Sequence, residues 1–229
     1  MIKIGIPLRY SRLEDGRCIL YLEERVRRTF QKAGAFLIPI VQVQDVNYAD
    51  SKYEKLAGLT DKEKENIEKY LDMVDGVVFP GGFKITKFDE YLLERCIERN
   101  IPTLGICLGM QLMSSYKEKF FNDKNESSIN HNQENNNQLS HKVNINRNSR
   151  LYKILEKDEI MVNSFHGYHV SPNKYFSVSA RSEDNYIEAI ELNDKNFVMG
   201  VQWHPEISYD FDENSRKIIH YFINKCREK

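Results

Sequence analysis

The order of apolar segments predicts an α/β fold, a mostly parallel sheet with helices on both faces. Two observations carry this. In the first half of the chain, short apolar runs alternate with amphipathic stretches at helical spacing, joined by short connections. In the second half the strand candidates lie close together, which predicts a small antiparallel set. The 229 residues suit a single domain spanning 1–229.

Met1–Pro7 (MIKIGIP) reads as a first buried strand stopped by proline. Leu20–Ala33 places Leu22, Val26 and Phe30 on one helical face, and Gly34 is the stop signal. Ala35–Ile40 is again strand-like. The polar stretch Gln42–Asn66 reads as a long loop with helical turns, and Asn66–Met73 as a short helix. Gly76–Phe79 (GVVF) is a buried strand that ends at Pro80-Gly81-Gly82. Glu90–Arg99 is a helix with Leu92, Leu93 and Cys96 on one face, followed by the strand Ile101–Ile106 and a helix from Gly109 to Tyr116. Residues 117–141 are crowded with Asn, Ser, Gln and charge and read as a flexible Asn-rich surface insertion. Strand candidates follow at Lys142–Ile145, Ile160–Val162, Phe176–Ala180, Tyr186–Leu192 and Phe197–Gln202. A helix from Glu213 to Cys226 closes the fold, burying Ile218, Ile219, Tyr221 and Phe222.

Composition excludes several classes of function. With 33 basic against 34 acidic side chains the formal charge is −1, which offers no electrostatic case for nucleic acid or an anionic membrane surface. No apolar run reaches the roughly 18 residues of a membrane span, and charges interrupt residues 1–20 where a leader would need an apolar stretch. Cys18, Cys96, Cys107 and Cys226 are scattered without pairing motifs, so reduced thiols and a cytoplasmic setting are expected. Metal ligands do not cluster along the chain, and neither a metal nor an organic cofactor is expected.

The sharpest chemical signal is Gly105-Ile106-Cys107-Leu108-Gly109, between an apolar strand and a helix. It is the cysteine form of the nucleophile elbow. A side chain on such a turn stands clear of the sheet, near a helix N-terminus whose partial positive charge favours thiolate. The second signal is Gln202-Trp203-His204-Pro205-Glu206 at the end of another strand. A thiol nucleophile needs a base, and the base needs a partner that fixes its tautomer; His204 and Glu206 supply both. The third is Pro80-Gly81-Gly82, where N–H groups can face a site without a Cβ in the way. An N–H near Gly82 and that of Leu108 would form an oxyanion hole.

Together FPGG, GICLGMQ and VQWHPE resemble the class I glutamine amidotransferase superfamily, and within it the γ-glutamyl-γ-aminobutyrate hydrolase type of peptidase family C26. KIGIP, IPTLGICLGMQLM, VNSFH and IEAIE fall in the order that type shows. The resemblance implies a flavodoxin-like sheet and a Cys107–His204–Glu206 triad cleaving a small γ-glutamyl amide through a thioester. It also implies that Gln111 contacts the γ-glutamyl group and that backbone around Gly167 and Tyr168 grips its α-amino and α-carboxylate groups, with His166 and His169 as site-wall residues. Arg9 and Arg12 follow the first strand and are candidates to meet an anionic leaving group; exposed loop arginines are the plainer reading. Two departures fall on the leaving-group side. His166-Gly167 stands where a His-His pair is usual, and Ser114-Ser115-Tyr116-Lys117 where Gly-Gly-x-Leu is usual. The amine released therefore stays open, a nucleotide phosphoramidate included. So do a glutaminase subunit serving a separate synthase, a homodimer, and a non-catalytic regulatory protein that kept the fold.

Overall fold

The computed structural model describes residues 1–44, 58–118, 122–135 and 138–228. The chain opens with β1 (Ile2–Pro7) and a hairpin of β2 (Arg9–Arg12) and β3 (Cys18–Tyr21). The alternating half continues through α1 (Glu24–Lys32), β4 (Ala35–Ile40), α2 (Asp61–Asp72), β5 (Gly76–Phe79), α3 (Lys87–Glu98), β6 (Thr103–Ile106) and α4 (Leu108–Ser114). Then come β7 (Asn122–Lys124), β8 (His141–Ile145), α5 (Arg150–Leu155), β9 (Glu159–Val162), β10 (Tyr168–Val170), β11 (Ser177–Ser182), β12 (Ile187–Glu191) and β13 (Val198–Val201). Two helices, α6 (Pro205–Ser208) and α7 (Glu213–Arg227), end the chain.

One nine-stranded sheet organises the molecule, in the order β4-β1-β5-β6-β13-β12-β11-β8-β9. From β4 to β13 every pairing is parallel, and from β13 to β9 every pairing is antiparallel. Taken in chain order, the parallel strands run second, first, third, fourth, fifth, which is flavodoxin-like connectivity. The fold class predicted from sequence is the one observed, with the antiparallel set fused to the main sheet.

Alternating residues feed two cores. Val78 joins Ile4, Ile6, Phe30, Leu151, Ile218 and Phe222 on the face covered by α1, α5 and α7. Its neighbours Val77 and Phe79 join Ile67, Leu71, Phe88, Leu92 and Met110 on the face covered by α2, α3 and α4. Each such side chain contributes about 1.5–3 kcal/mol by leaving water, and the two-sided burial holds the strand ends of β5, β6 and β13 in register.

The departures from the predicted elements have local causes. The helix expected from Leu20 starts at Glu24, because Cys18–Tyr21 pairs antiparallel with Arg9–Arg12 and Glu23 caps the helix by accepting from the Arg25 and Val26 N–H groups. Helix α2 begins several residues before Asn66, at a capping box of Thr60 and Glu63, and α3 begins at one of Thr86 and Asp89. Of the loop expected over Gln42–Asn66, residues 45–57 lie outside the described residues. Of the Asn-rich stretch 117–141, expected to be a flexible surface insertion, residues 119–121 and 136–137 lie outside the described residues, and the described part is partly internal. Its β7 pairs with β10, Asn132 bridges to Phe165, and His131 and His141 are buried. Among the described residues no helix is long and apolar enough to cross a membrane.

Candidate active site

The carboxyl ends of β5, β6 and β13 meet at one cleft, where an open parallel sheet of this type binds its ligands. Cys107 follows β6, and its N–H extends the ladder by donating to the Val201 carbonyl at 2.8 Å. Its backbone then turns to φ 51°, ψ −104°, the left-handed half of the map, before α4 begins. The flanking glycines are imposed by packing. A Cβ on Gly105 would stand 2.7 Å from the backbone of Gly109, and one on Gly109 would stand 2.2 Å from the Phe79 carbonyl oxygen. Strand β6, helix α4 and the end of β5 therefore touch backbone to backbone, which forces the elbow and lifts the thiol off the sheet.

His204 and Glu206 leave β13 at the start of α6. The His204 Nδ1 lies 2.6 Å from Glu206 Oε1, and both side chains are nearly buried. This contact puts the ring proton on Nδ1 and turns Nε2 toward the thiol. Asn163 fixes the imidazole's backbone from both sides, accepting from the His204 N–H and donating to the His204 carbonyl, each at 2.8 Å. Thr29 ties α1 to the Glu206 carbonyl at 2.9 Å. Burial alone would push the Cys107 thiol up; the charge of His204 and a hydrogen bond from it outweigh this and bring the thiol below its ordinary value. Burial likewise opposes charge on His204, but Glu206 and Cys107 hold it well above the usual imidazole range. Both shifts favour a thiolate–imidazolium pair.

This pair makes a measurable prediction. The rate of Cys107 alkylation by iodoacetamide is expected to rise with pH through a midpoint below the roughly 8.5 of a free cysteine. In His204→Ala the two largest lowering influences vanish, while burial and the Glu206 carboxylate remain against only the weaker charge of His166, so the midpoint should move above that value. An unshifted midpoint in the variant would show that the pair does not form.

Gly81 sits against the pair; a Cβ there would be 2.9 Å from His204 Cε1 and 3.8 Å from Cys107 Cβ. A Cβ on Gly82 would meet Arg9 at 3.1 Å and Leu108 at 3.2 Å. Neither the Gly82 nor the Leu108 N–H donates to another described residue.

The cleft of about 270 Å³ is lined by Arg9, Gly82, Cys107, His204 and Glu206, together with Pro80, Gly81, Phe83 and Phe165 and a wall from Tyr21 to Val26. Of the remaining residues singled out in the sequence, Leu108 follows Cys107 at the start of α4, and its side chain is not part of the lining. Gln111 is buried beneath the elbow, where its amide donates to Gln202 at 3.3 Å. Gly167 and Tyr168 lie on the β7–β10 ribbon away from the cleft lining, with Tyr168 exposed. His166 is not a wall residue but an interior one, 4% exposed, facing Glu188. His169 lies on β10, opposite Asp123, and stacks on Tyr186 with ring centroids 4.1 Å apart.

Arg9 is a correction. It is neither an exposed loop cation nor one free for a leaving group. Its guanidinium pairs with buried Asp89 at 2.8 Å and donates to the carbonyls of Pro80 at 2.7 Å and Gly81 at 3.2 Å. It braces the Pro80-Gly81-Gly82 loop. Arg25, half-buried in the opposite wall, makes no hydrogen bond or ion pair with its side chain among the described residues.

Asn163 and Asp89 escaped the sequence reading. Asn163 was in view only as part of VNSFH, and the one signal for Asp89 was Thr86-x-x-Asp89 ahead of an apolar run.

Comparison with known proteins places the chain in a family. The model of the family Peptidase C26 matches residues 86–206, more than half of the chain, and the chain belongs to that family. A glutamine amidotransferase-like protein of Rickettsia prowazekii is 30% identical over 215 residues, covering 65% of this chain and 76% of its own length. A glutamine amidotransferase-like protein of Lactococcus lactis is 30% identical over 186 residues, covering 70% and 78% respectively. Among solved structures, the Trypanosoma brucei CTPS glutaminase domain with bound acivicin superimposes with a TM-score of 0.68 at 18% identity, covering all of this chain and 95% of that one. At that identity the likeness is one of fold. Family membership makes the chain a cysteine-dependent amide hydrolase of the glutamine amidotransferase-like class.

Proposed function

We propose that the chain hydrolyses the γ-glutamyl amide bond of a small conjugate, releasing glutamate and an amine. The observation that carries the reading is the convergence of an elbow thiol, an imidazole and a carboxylate at the mouth of one cleft. In the first half-reaction the Cys107 thiolate attacks the γ-carbonyl. The oxyanion is met by the unengaged N–H groups of Gly82 and Leu108, and the imidazolium of His204 gives its Nε2 proton to the departing amine. In the second, the now neutral imidazole takes a proton from water, which attacks the thioester and frees glutamate. Glu206 holds the tautomer and offsets the imidazolium charge throughout. Asn163 and Arg9 are positioning residues, acting through the backbone of His204 and of Pro80-Gly81.

The cleft lining also includes Tyr21, Leu22, Phe83 and Arg25, which we assign to the leaving group. A half-buried arginine whose side chain has no partner among the described residues fits an anionic amine, a carboxylate or a phosphoryl group. Arg25→Ala is expected to raise KM for such conjugates about tenfold, the worth of a charge-assisted hydrogen bond, and to leave neutral γ-glutamyl amides unchanged. Equal losses for both substrate classes would remove Arg25 from this role.

The deciding experiment is glutamate release by the purified chain from γ-glutamyl conjugates of γ-aminobutyrate, polyamines, folate-type chains and phosphoramidates, with Cys107→Ala as the blank. Turnover of none of these, with glutamine hydrolysed only when a synthase is added, would overturn the stand-alone reading. It would favour a glutaminase subunit, which the likeness to a glutaminase domain supports.

A further inference from the structure

A second constellation of titratable groups lies beneath the β7–β10 ribbon, apart from the cleft lining. His131 comes from the Asn-rich segment, His141 opens β8, His166 lies between β9 and β10, and Glu188 projects from β12. All four are buried, at 3%, 4%, 4% and 0% exposure. One ligand-type atom from each lies within 4.8 Å of every other. No two of these residues are closer than ten positions in sequence, which is why the chain read linearly suggested no metal ligands; the fold brings them together.

Among the described residues, the ring nitrogens that face Glu188 (His131 Nδ1, His141 Nε2 and His166 Nε2) and both Glu188 oxygens have no hydrogen-bond partner. Leaving one buried polar group unpaired costs about 1–3 kcal/mol, and a buried carboxylate costs more. The outward ring nitrogens, by contrast, are all engaged. His131 Nε2 lies 2.9 Å from the Asp184 carboxylate, His166 Nδ1 2.9 Å from the Tyr168 carbonyl, and His141 Nδ1 3.2 Å from the Lys142 carbonyl. Each acceptor draws the ring proton outward and leaves a lone pair pointing inward. Ring orientation of this kind, with a carboxylate or carbonyl behind each imidazole, is what metal-bound histidines show.

The distances separate the possibilities. From Glu188 Oε1, the facing nitrogens lie 3.5 Å (His131), 3.7 Å (His141) and 3.6 Å (His166) away. These are too long for hydrogen bonds, whose donor–acceptor range is about 2.7–3.2 Å. Yet they match the edge of a tetrahedron: four ligands at about 2.1 Å from a central ion stand roughly 3.4 Å from one another. A single proton shared between His166 and Glu188 would satisfy one imidazole and leave the other two lone pairs facing a carboxylate.

We propose that His131, His141, His166 and Glu188 form a buried tetrahedral site for a divalent transition ion, of which zinc best fits three imidazoles and one carboxylate. Four protein ligands fill the coordination sphere, so the site is structural. It staples the Asn-rich segment to the sheet and fixes the loop that carries Phe165, whose ring packs edge-on to His204 at 5.7 Å. Asp184 completes the arrangement as the outer carboxylate behind His131. Its other oxygen accepts from the Ser182 hydroxyl, which fixes it in place. The inference does not depend on the hydrolase reading, because its readouts are metal content and stability.

The test is elemental analysis of the full chain after incubation with excess Zn2+ and dialysis. About one zinc per chain is expected, with a Tm that falls on treatment with 1,10-phenanthroline and returns when Zn2+ is restored. His141→Ala and Glu188→Gln should each retain at most about a tenth of that metal, whereas Cys107→Ala should retain all of it. Should the ligand variants fail to fold, Co2+ substitution of the unaltered chain reads the site directly, through the intense visible bands of a tetrahedral nitrogen–oxygen sphere. A chain that keeps less than about a tenth of an equivalent of zinc, with a chelator-insensitive Tm, would overturn the proposal. So would zinc that persists undiminished in folded His141→Ala, or a cobalt spectrum of an open octahedral ion.

Discussion

Cys107→Ala is expected to reduce γ-glutamyl amide turnover at least about 10^4-fold while leaving the fold intact, because alanine at the elbow loses the attacking atom and nothing else. His204→Ala should lose activity on the same scale, since without the imidazole burial works against the thiolate and the departing amine has no acid. The two losses should not add. Thiolate and imidazolium act as one unit, so the double variant is expected to be no slower than the worse single variant. Glu206→Gln should fall short of both, because an amide can still accept from Nδ1 but cannot offset the imidazolium charge. Steady-state kinetics of the four variants, with circular dichroism as a fold control, decide the matter. A His204→Ala enzyme within tenfold of the unaltered chain would dismiss the imidazole as base.

How much of this was legible in the sequence depends on the range over which each signal acts. The elbow and the His-Pro-Glu turn are local patterns, and the residues in them are those the fold brings to the cleft. The sheet was legible because its strands are short apolar runs bounded by turn residues, and two-sided burial leaves that mark on composition. Where local signals compete, the reading slipped. Cys18–Tyr21 has apolar residues at a spacing that fits the following helix, and only pairing with Arg9–Arg12 makes it a strand. The role of Arg9 was out of reach for another reason. Whether an arginine after the first strand meets a ligand or a carboxylate depends on Asp89, eighty residues on, and burial of the pair is a tertiary fact. The Asn-rich stretch misled through composition. A segment with few apolar residues has little hydrophobic reason to pack, yet its His131 is anchored by polar chemistry, on Asp184 and beside Glu188.

The Arg9–Asp89 pair should have the largest effect on stability. Both groups are nearly sealed from water, at 6% and 0% side-chain exposure, and the guanidinium has its Nη1 on the carboxylate and its other donors on the Pro80 and Gly81 carbonyls. In Asp89→Ala the arginine remains as an uncompensated buried charge, and α3 loses the carboxylate that accepts from the Thr86 N–H and hydroxyl. Breaking a buried pair from one side costs about 3–5 kcal/mol, which for a chain of this size corresponds to a fall in Tm of roughly 10 °C. Arg9→Met combined with Asp89→Leu removes both charges, and apolar replacement of a buried pair is often close to neutral, so most of the Tm should return. Activity should not return with it. The carbonyls of Pro80 and Gly81 would have lost the donors that aim the loop, and the Gly82 N–H would no longer be held toward the developing oxyanion. A stable double variant with a reduced kcat and a near-normal KM is therefore the expected signature. Full recovery of kcat alongside Tm would show that the pair serves folding alone and that the oxyanion loop needs no brace.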